Sequence, residues 1–177
     1  MMLLQSCLFA LLAALLIGAS PNPASPTPQN LLGEVIDALG IGLVTHIDVA
    51  LTLDTLTNNL VTVDFEAQNP LAFELTIDSV STTGGLNGTV YTSFEHKFAR
   101  PVVVPPFGQA NSGNITNVLL TQGATASLAI IPFGVLDLIN VDVNVRALSI
   151  FGIGGVPLVI SGLHQASVPT TYNLDLS

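Results

Sequence analysis

From Val44 onward, apolar and polar residues alternate with a period of two. In Ile47–Asp54 the odd positions are apolar and most even ones polar. Val61, Val63 and Phe65 alternate with Thr62, Asp64 and Glu66. Phe73, Leu75 and Ile77 alternate with Glu74, Thr76 and Asp78, and Val141, Val143 and Val145 with Asp142, Asn144 and Arg146. Such alternation marks strands with one face buried and one in water. Turn-forming residues punctuate it at Asn58-Asn59, Gly84-Gly85, Asn111-Ser112-Gly113 and Gln122-Gly123. Gly84-Gly85 fits a two-residue hairpin loop. The pattern predicts strands near 44–54, 60–68, 72–82, 86–96, 114–121, 124–131, 140–150, 157–164 and 169–175, with a helical turn over 132–139. About seven to nine short antiparallel strands at this spacing indicate an all-β sandwich or barrel.

The pattern before Val44 is different. Leu31, Leu32, Val35, Ile36 and Leu39 recur at helical spacing, and Gly40 and Gly42 end the run. A short N-terminal helix is expected there. Leu8 to Ile17 is an unbroken apolar run, too short for the about 20 residues of a membrane span. Small residues follow at Gly18, Ala19 and Ser20, as in a secretory leader. Pro21 to Asn30 reads as an extended linker. The expected division is a signal peptide over 1–20, a Pro-rich linker over 21–30 and one β-domain over 31–177.

Composition sharpens this picture. The chain is 49% hydrophobic and 8% charged, so it has ample apolar area to bury. Its net charge is −9, with Lys97, Arg100 and Arg146 as the only cations. Three separated cations make no basic patch, which argues against nucleic acid and anionic lipid as partners. The single cysteine, Cys7, lies in the expected leader, so the mature domain has no thiol chemistry. The polar C-terminal residues do not suit a lipid-anchor signal, and no stable membrane anchor is expected.

Motifs for catalysis are weak. Asp64 and Glu66 share one strand face, about 7 Å apart, a separation that glycosidases use, but a solvated strand gives the same pattern. His46, His96 and His164 lie on separate predicted strands, and no metal-ligand spacing links them. No calcium loop of the EF-hand type is present. Gly152-Ile153-Gly154-Gly155 begins like a dinucleotide loop, but Pro157 takes the place of the last glycine. No Gly-x-Ser-x-Gly elbow occurs. Catalytic, cofactor and metal residues are therefore assigned to none. Asn87-Gly88-Thr89 and Asn114-Ile115-Thr116 are N-glycosylation sequons, which matter in a secreted chain.

One stretch carries a family resemblance. A strand ending in Asn69-Pro70, a strand pair turning at Leu86-Asn87-Gly88, and the valine- and proline-containing Val102 to Pro106 follow in order. This order resembles the late-embryogenesis-abundant type 2 family, also called the water-stress and hypersensitive-response domain. Gly123 to Asn144 is similar to its closing strands. The likeness spans about 44–175, although Leu71-Ala72 stand where the family often continues with Asn. The resemblance implies an immunoglobulin-like β-sandwich and a non-enzymatic, structural or stress-related role, and the expected leader puts that role outside the cell or in its wall. A binding module for an apolar or carbohydrate ligand is the alternative, and a hydrolase a distant third.

Two connections are unusually apolar for turns: Val102 to Phe107 and Ile150 to Pro157. The simplest expectation is that they fold inward and close the core. Otherwise Phe107, Phe151 and Ile153 form a patch for an extracellular or cell-wall partner or for self-association.

Overall fold

The structure is a computed structural model, and it describes residues 42–175. The expected leader, linker and N-terminal helix lie outside these residues. The described chain is almost wholly β: β1 (Val44–Thr52), β2 (Leu60–Gln68), β3 (Leu75–Leu86), β4 (Thr89–Val104), β5 (Gln109–Asn111), β6 (Ile115–Leu120), β7 (Val135–Ala147) and β8 (Val156–Asp175). A helical turn, α1 (Thr55–Asn58), joins β1 to β2. Between β6 and β7, α2 (Ala124–Ser127) runs into a 3₁₀ helix (Leu128–Phe133).

The strands form a closed seven-stranded barrel, not an immunoglobulin-like sandwich. Going round, β1 pairs with β8, then β7, β3, β4, β6 and β2, and β2 returns to β1. The closing strand is β1. It runs antiparallel to β2, with Val49 opposite Val63, and parallel to β8, with Val49 opposite Tyr172. A sandwich would have left β1 at a sheet edge. Alternation cannot separate the two folds, because both bury one face of every strand. The hydrogen-bond partner decides, and that partner lies over a hundred positions away in sequence.

Several element expectations shift for local reasons. Residues 124–131 are helical rather than a strand, and 135–139 belong to β7 rather than to a helical turn. Ala124 starts the helix where Asn59 Oδ1 accepts its N–H at 2.7 Å, and Gly134, at φ 62°, ends the 3₁₀ segment. The hairpin between β3 and β4 turns at Asn87-Gly88, not at Gly84-Gly85. Asn87 and Gly88 take φ of 51° and 79°, the left-handed pair that a tight hairpin needs. Gly84 instead lies within β3, where a Cβ would meet Thr92 and Leu136 at 2.8 and 3.0 Å. The strands expected at 157–164 and 169–175 are one twenty-residue strand, β8.

The alternation does name the inner face. Ile47, Val49 and Leu51, Val61 and Val63, and Val141 and Val145 are all buried in the barrel. A β-bulge between Ile77 and Ser79 switches the parity of β3, so Ile77 and Val80 both face inward.

One end of the barrel is plugged. Ala124, Ser127 and Ile130 of α2 and the 3₁₀ helix are buried there. Thr55 of α1 is buried as well, and its hydroxyl accepts the Thr52 N–H at 3.0 Å. At the opposite end, the strands β3, β4, β7 and β8 extend into two apolar connections, 105–108 and 148–155.

Candidate functional site: an apolar cavity inside the barrel

Inward residues of seven strands enclose a cavity of about 150 Å³. The wall is mostly Val, Leu and Ile, because β-branched and aliphatic side chains suit a pleated, buried surface. It contains no Asp, Glu, Lys or Arg. The plugged end is closed by Ser127, Ile130 and Ile131. The other rim is formed by Leu43, Val44, Gln68, His164 and Gln165, which are half-buried or exposed. The mouth therefore faces away from the helical plug. Gln165 shapes it: its Oε1 accepts the Val44 N–H at 3.1 Å, and its Nε2 donates to the Val44 carbonyl.

Most polar groups of the wall are satisfied within the protein. Thr82 Oγ1 donates to the Asn140 carbonyl at 3.2 Å, and Ser127 Oγ to the Gly123 carbonyl at 2.8 Å. Two are not. Thr92 Oγ1 and the Tyr172 hydroxyl are buried and make no hydrogen bond. Thr92 as a whole is 9% exposed. Burial raises the ionisation of the Tyr172 phenol above the ordinary tyrosine range. A buried hydroxyl left unpaired costs about 1–3 kcal/mol. The two sit on β4 and β8, on opposite walls of the ring.

The barrel seam next to Thr92 is short. Strand β4 pairs with β6 only through Thr92–Leu120 and Ser93–Leu119. Beyond these pairs, Phe65 and Phe98 pack edge to face at 6.5 Å across the gap between β2 and β4, and His96 packs on Phe98 at 4.8 Å. The gap is tied at its far end by Asn69, which is 1% exposed. Its Nδ2 donates to the carbonyls of Phe73, Val104 and Pro105 at 2.7, 3.2 and 3.2 Å. Its Oδ1 accepts the Leu71 N–H at 3.0 Å.

The residues singled out in the sequence fall elsewhere. Asp64 and Glu66 lie on the outer face of β2, where both accept from Asn111 Nδ2 at 2.8 and 3.0 Å. His46, His96 and His164 sit on β1, β4 and β8. Nε2 of His46 pairs with Thr171 Oγ1 at 2.9 Å. Among the described residues no group of three or more His, Cys, Asp or Glu side chains is placed to hold a metal. Asn87 and Asn114 are both exposed.

Of the two apolar connections, Val102 and Val104 belong to β4 and are buried in the core, but Phe107 and the 148–155 loop do not fold inward. Phe107, Phe151 and Ile153 are 59%, 88% and 78% exposed. Both connections leave the same end of the barrel, because Leu75 of β3 pairs with Val104 on one side and Ala147 on the other. The 148–155 loop is held by its polar groups instead. Arg146 binds Asp78 through Nε and Nη2 and gives Nη1 to the carbonyls of Gly152 and Gly154 at 2.9 and 2.8 Å. Glu74 accepts the N–H groups of Phe151 and Gly152 at 3.1 and 2.9 Å.

Sequence reasoning missed Thr92 and Tyr172. Their signal was weak, since an inward Thr or Tyr in a Thr-rich strand looks like an outward one. Asn69 was noticed only as part of a motif.

No family model matches the chain, so the late-embryogenesis-abundant resemblance gains no support from that comparison. No curated protein matches it either. Among solved structures, the chain is similar to a protein from Archaeoglobus fulgidus at 13% identity. That match covers 61% of this chain and 84% of the other, with a TM-score of 0.26.

Proposed function

We propose that this protein is a secreted, non-enzymatic binding barrel that holds a small apolar molecule in its interior. The carrying observation is the cavity: about 150 Å³ of space inside a charge-free, mostly aliphatic wall, with one end plugged and a polar rim at the other. An apolar cavity of about 150 Å³ stays dry and takes up a benzene-sized guest. Apolar lining with few polar groups is the usual character of a small-molecule site. This favours the binding alternative over a purely structural or stress-related role. Hydroxyls, amides and a rim histidine suit holding a ligand better than turning it over.

The test is to fill the space. Val143 lines the cavity on β7. Val143→Phe puts a ring into existing void, so the usual overpacking cost of about 1–3 kcal/mol is largely avoided. The variant is expected to stay folded and to lose at least about tenfold in affinity for an apolar fluorescent probe. Probe binding unchanged in a folded variant would place the probe elsewhere and defeat the reading.

Secretion and N-glycosylation at the exposed Asn87 and Asn114 belong to the same proposal. Enzymatic deglycosylation of the natively secreted protein should lower its mass, and an unchanged mass would remove the glycans from it.

A further inference from the structure

The cavity wall also limits the chemistry of its guest, and the following rests on the binding reading above. Thr82 and Ser127 spend their hydroxyls on backbone carbonyls, while Thr92 and Tyr172 leave theirs unpaired. Buried polar groups in native proteins are nearly always paired, and an exception calls for a missing partner. Two exceptions on opposite walls of one cavity point to a partner inside it. Each hydroxyl can donate or accept, so an uncharged oxygen satisfies either.

Charge excludes the obvious competitor. A carboxylate would need a cation beside it in so apolar a space. Lys97, Arg100 and Arg146 are the only Lys and Arg residues and none lines the cavity, and the one histidine of its lining, His164, stands exposed at the rim. An ammonium head meets the same obstacle, since no carboxylate lines the cavity either. We infer that the barrel selects a small neutral molecule with an apolar body and a hydroxyl or carbonyl oxygen — an alcohol, phenol or ketone — which hydrogen-bonds to Thr92 or to Tyr172.

The full chain is titrated calorimetrically with toluene, p-cresol and p-toluate, which share one apolar body and differ in the polar group. The expected order is p-cresol about tenfold tighter than toluene, with no binding of p-toluate. Thr92→Val and Tyr172→Phe together should abolish the cresol advantage and leave toluene binding unchanged. Equal affinity for toluene and p-cresol would overturn the inference while leaving the apolar cavity in use. Tightest binding of p-toluate would overturn it too. Binding of none of the three would remove the binding reading itself. Folding supplies a second measure: without ligand, Thr92→Val should be at least as stable as the parent, because Val has the same shape without the unpaired hydroxyl. A clearly less stable Thr92→Val would mean that the hydroxyl is already satisfied within the protein, and the inference would fall.

Discussion

Asn69 is a single residue on which the closure of one seam depends. Between Ser93 and the end of β4, no ladder joins β4 to β6. The Asn69 amide replaces it by gathering three carbonyls, two of them, Val104 and Pro105, at the end of β4. Two N–H groups serve these three acceptors, so one is shared. Asn69→Ala should cost about 2–4 kcal/mol, the range for breaking a buried hydrogen-bond network. Asn69→Asp keeps the shape but turns a carboxylate toward three carbonyls, so it should be worse than Ala at neutral pH. Urea unfolding of both variants checks the order, and a milder Asp variant would refute this account. Asn69 was visible in the sequence, because Asn-Pro at a strand end is a turn signal. Its role across the seam was not, because two of its three acceptors lie more than thirty positions away.

At the scale of an element, the β7–β8 connection shows how an apolar loop stays ordered in water. Phe151 takes φ 51°, a left-handed conformation that glycine adopts more easily, and its side chain is almost wholly exposed. The loop is fixed by Glu74 and Arg146. Hydrogen bonds lower the Glu74 carboxyl below its ordinary range, the N–H of Gly152 contributing most, against partial desolvation, with help from Ser149 and Phe151. The Asp78 carboxylate raises the Arg146 guanidinium. A depressed carboxylate contributes stability above its unfolded pKa, and that contribution is lost as pH falls through the lower folded value. The loop amides of Phe151 and Gly152 should therefore exchange faster with solvent as the solution is acidified through the carboxylate range. Glu74→Gln should exchange fast at neutral pH and lose that dependence. A loop in the Glu74→Gln variant as protected as the parent's at neutral pH would show that Glu74 does not hold it.

At the scale of the whole molecule, closure changes which amides are protected. In an open sheet an edge strand pairs only one of its sides. Here β1 has neighbours on both sides from Ile47 to Ala50. Every amide in that stretch should exchange as slowly as those in β7, since opening them requires the ring to open. Native-state hydrogen exchange checks this. Fast exchange at alternate positions along β1 would indicate an edge strand and an open fold.

The sequence by itself determined the local and one-dimensional features. Period-two alternation identified most of the strands, though not the helical 124–131, and, at Ile47, Val49, Val61, Val63, Val141 and Val145, the side chains that face inward. Composition established that the core is apolar and that few charges are available. Tertiary structure decided what depends on partners distant in the chain. It chose a barrel over a sandwich, because β1 pairs with both β2 and β8 and no residue in β1 encodes that choice. It turned 124–131 into the helical plug, because that segment must cover an open end rather than extend a sheet. It exposed Phe151 and Ile153, because Glu74 and Arg146 satisfy their loop from outside the core, and it exposed Phe107 in the neighbouring connection, where the Phe107 N–H bonds to the Leu71 carbonyl. It also left Thr92 and Tyr172 unpaired on opposite walls, since only closure of the ring placed their hydroxyls inside a common apolar space.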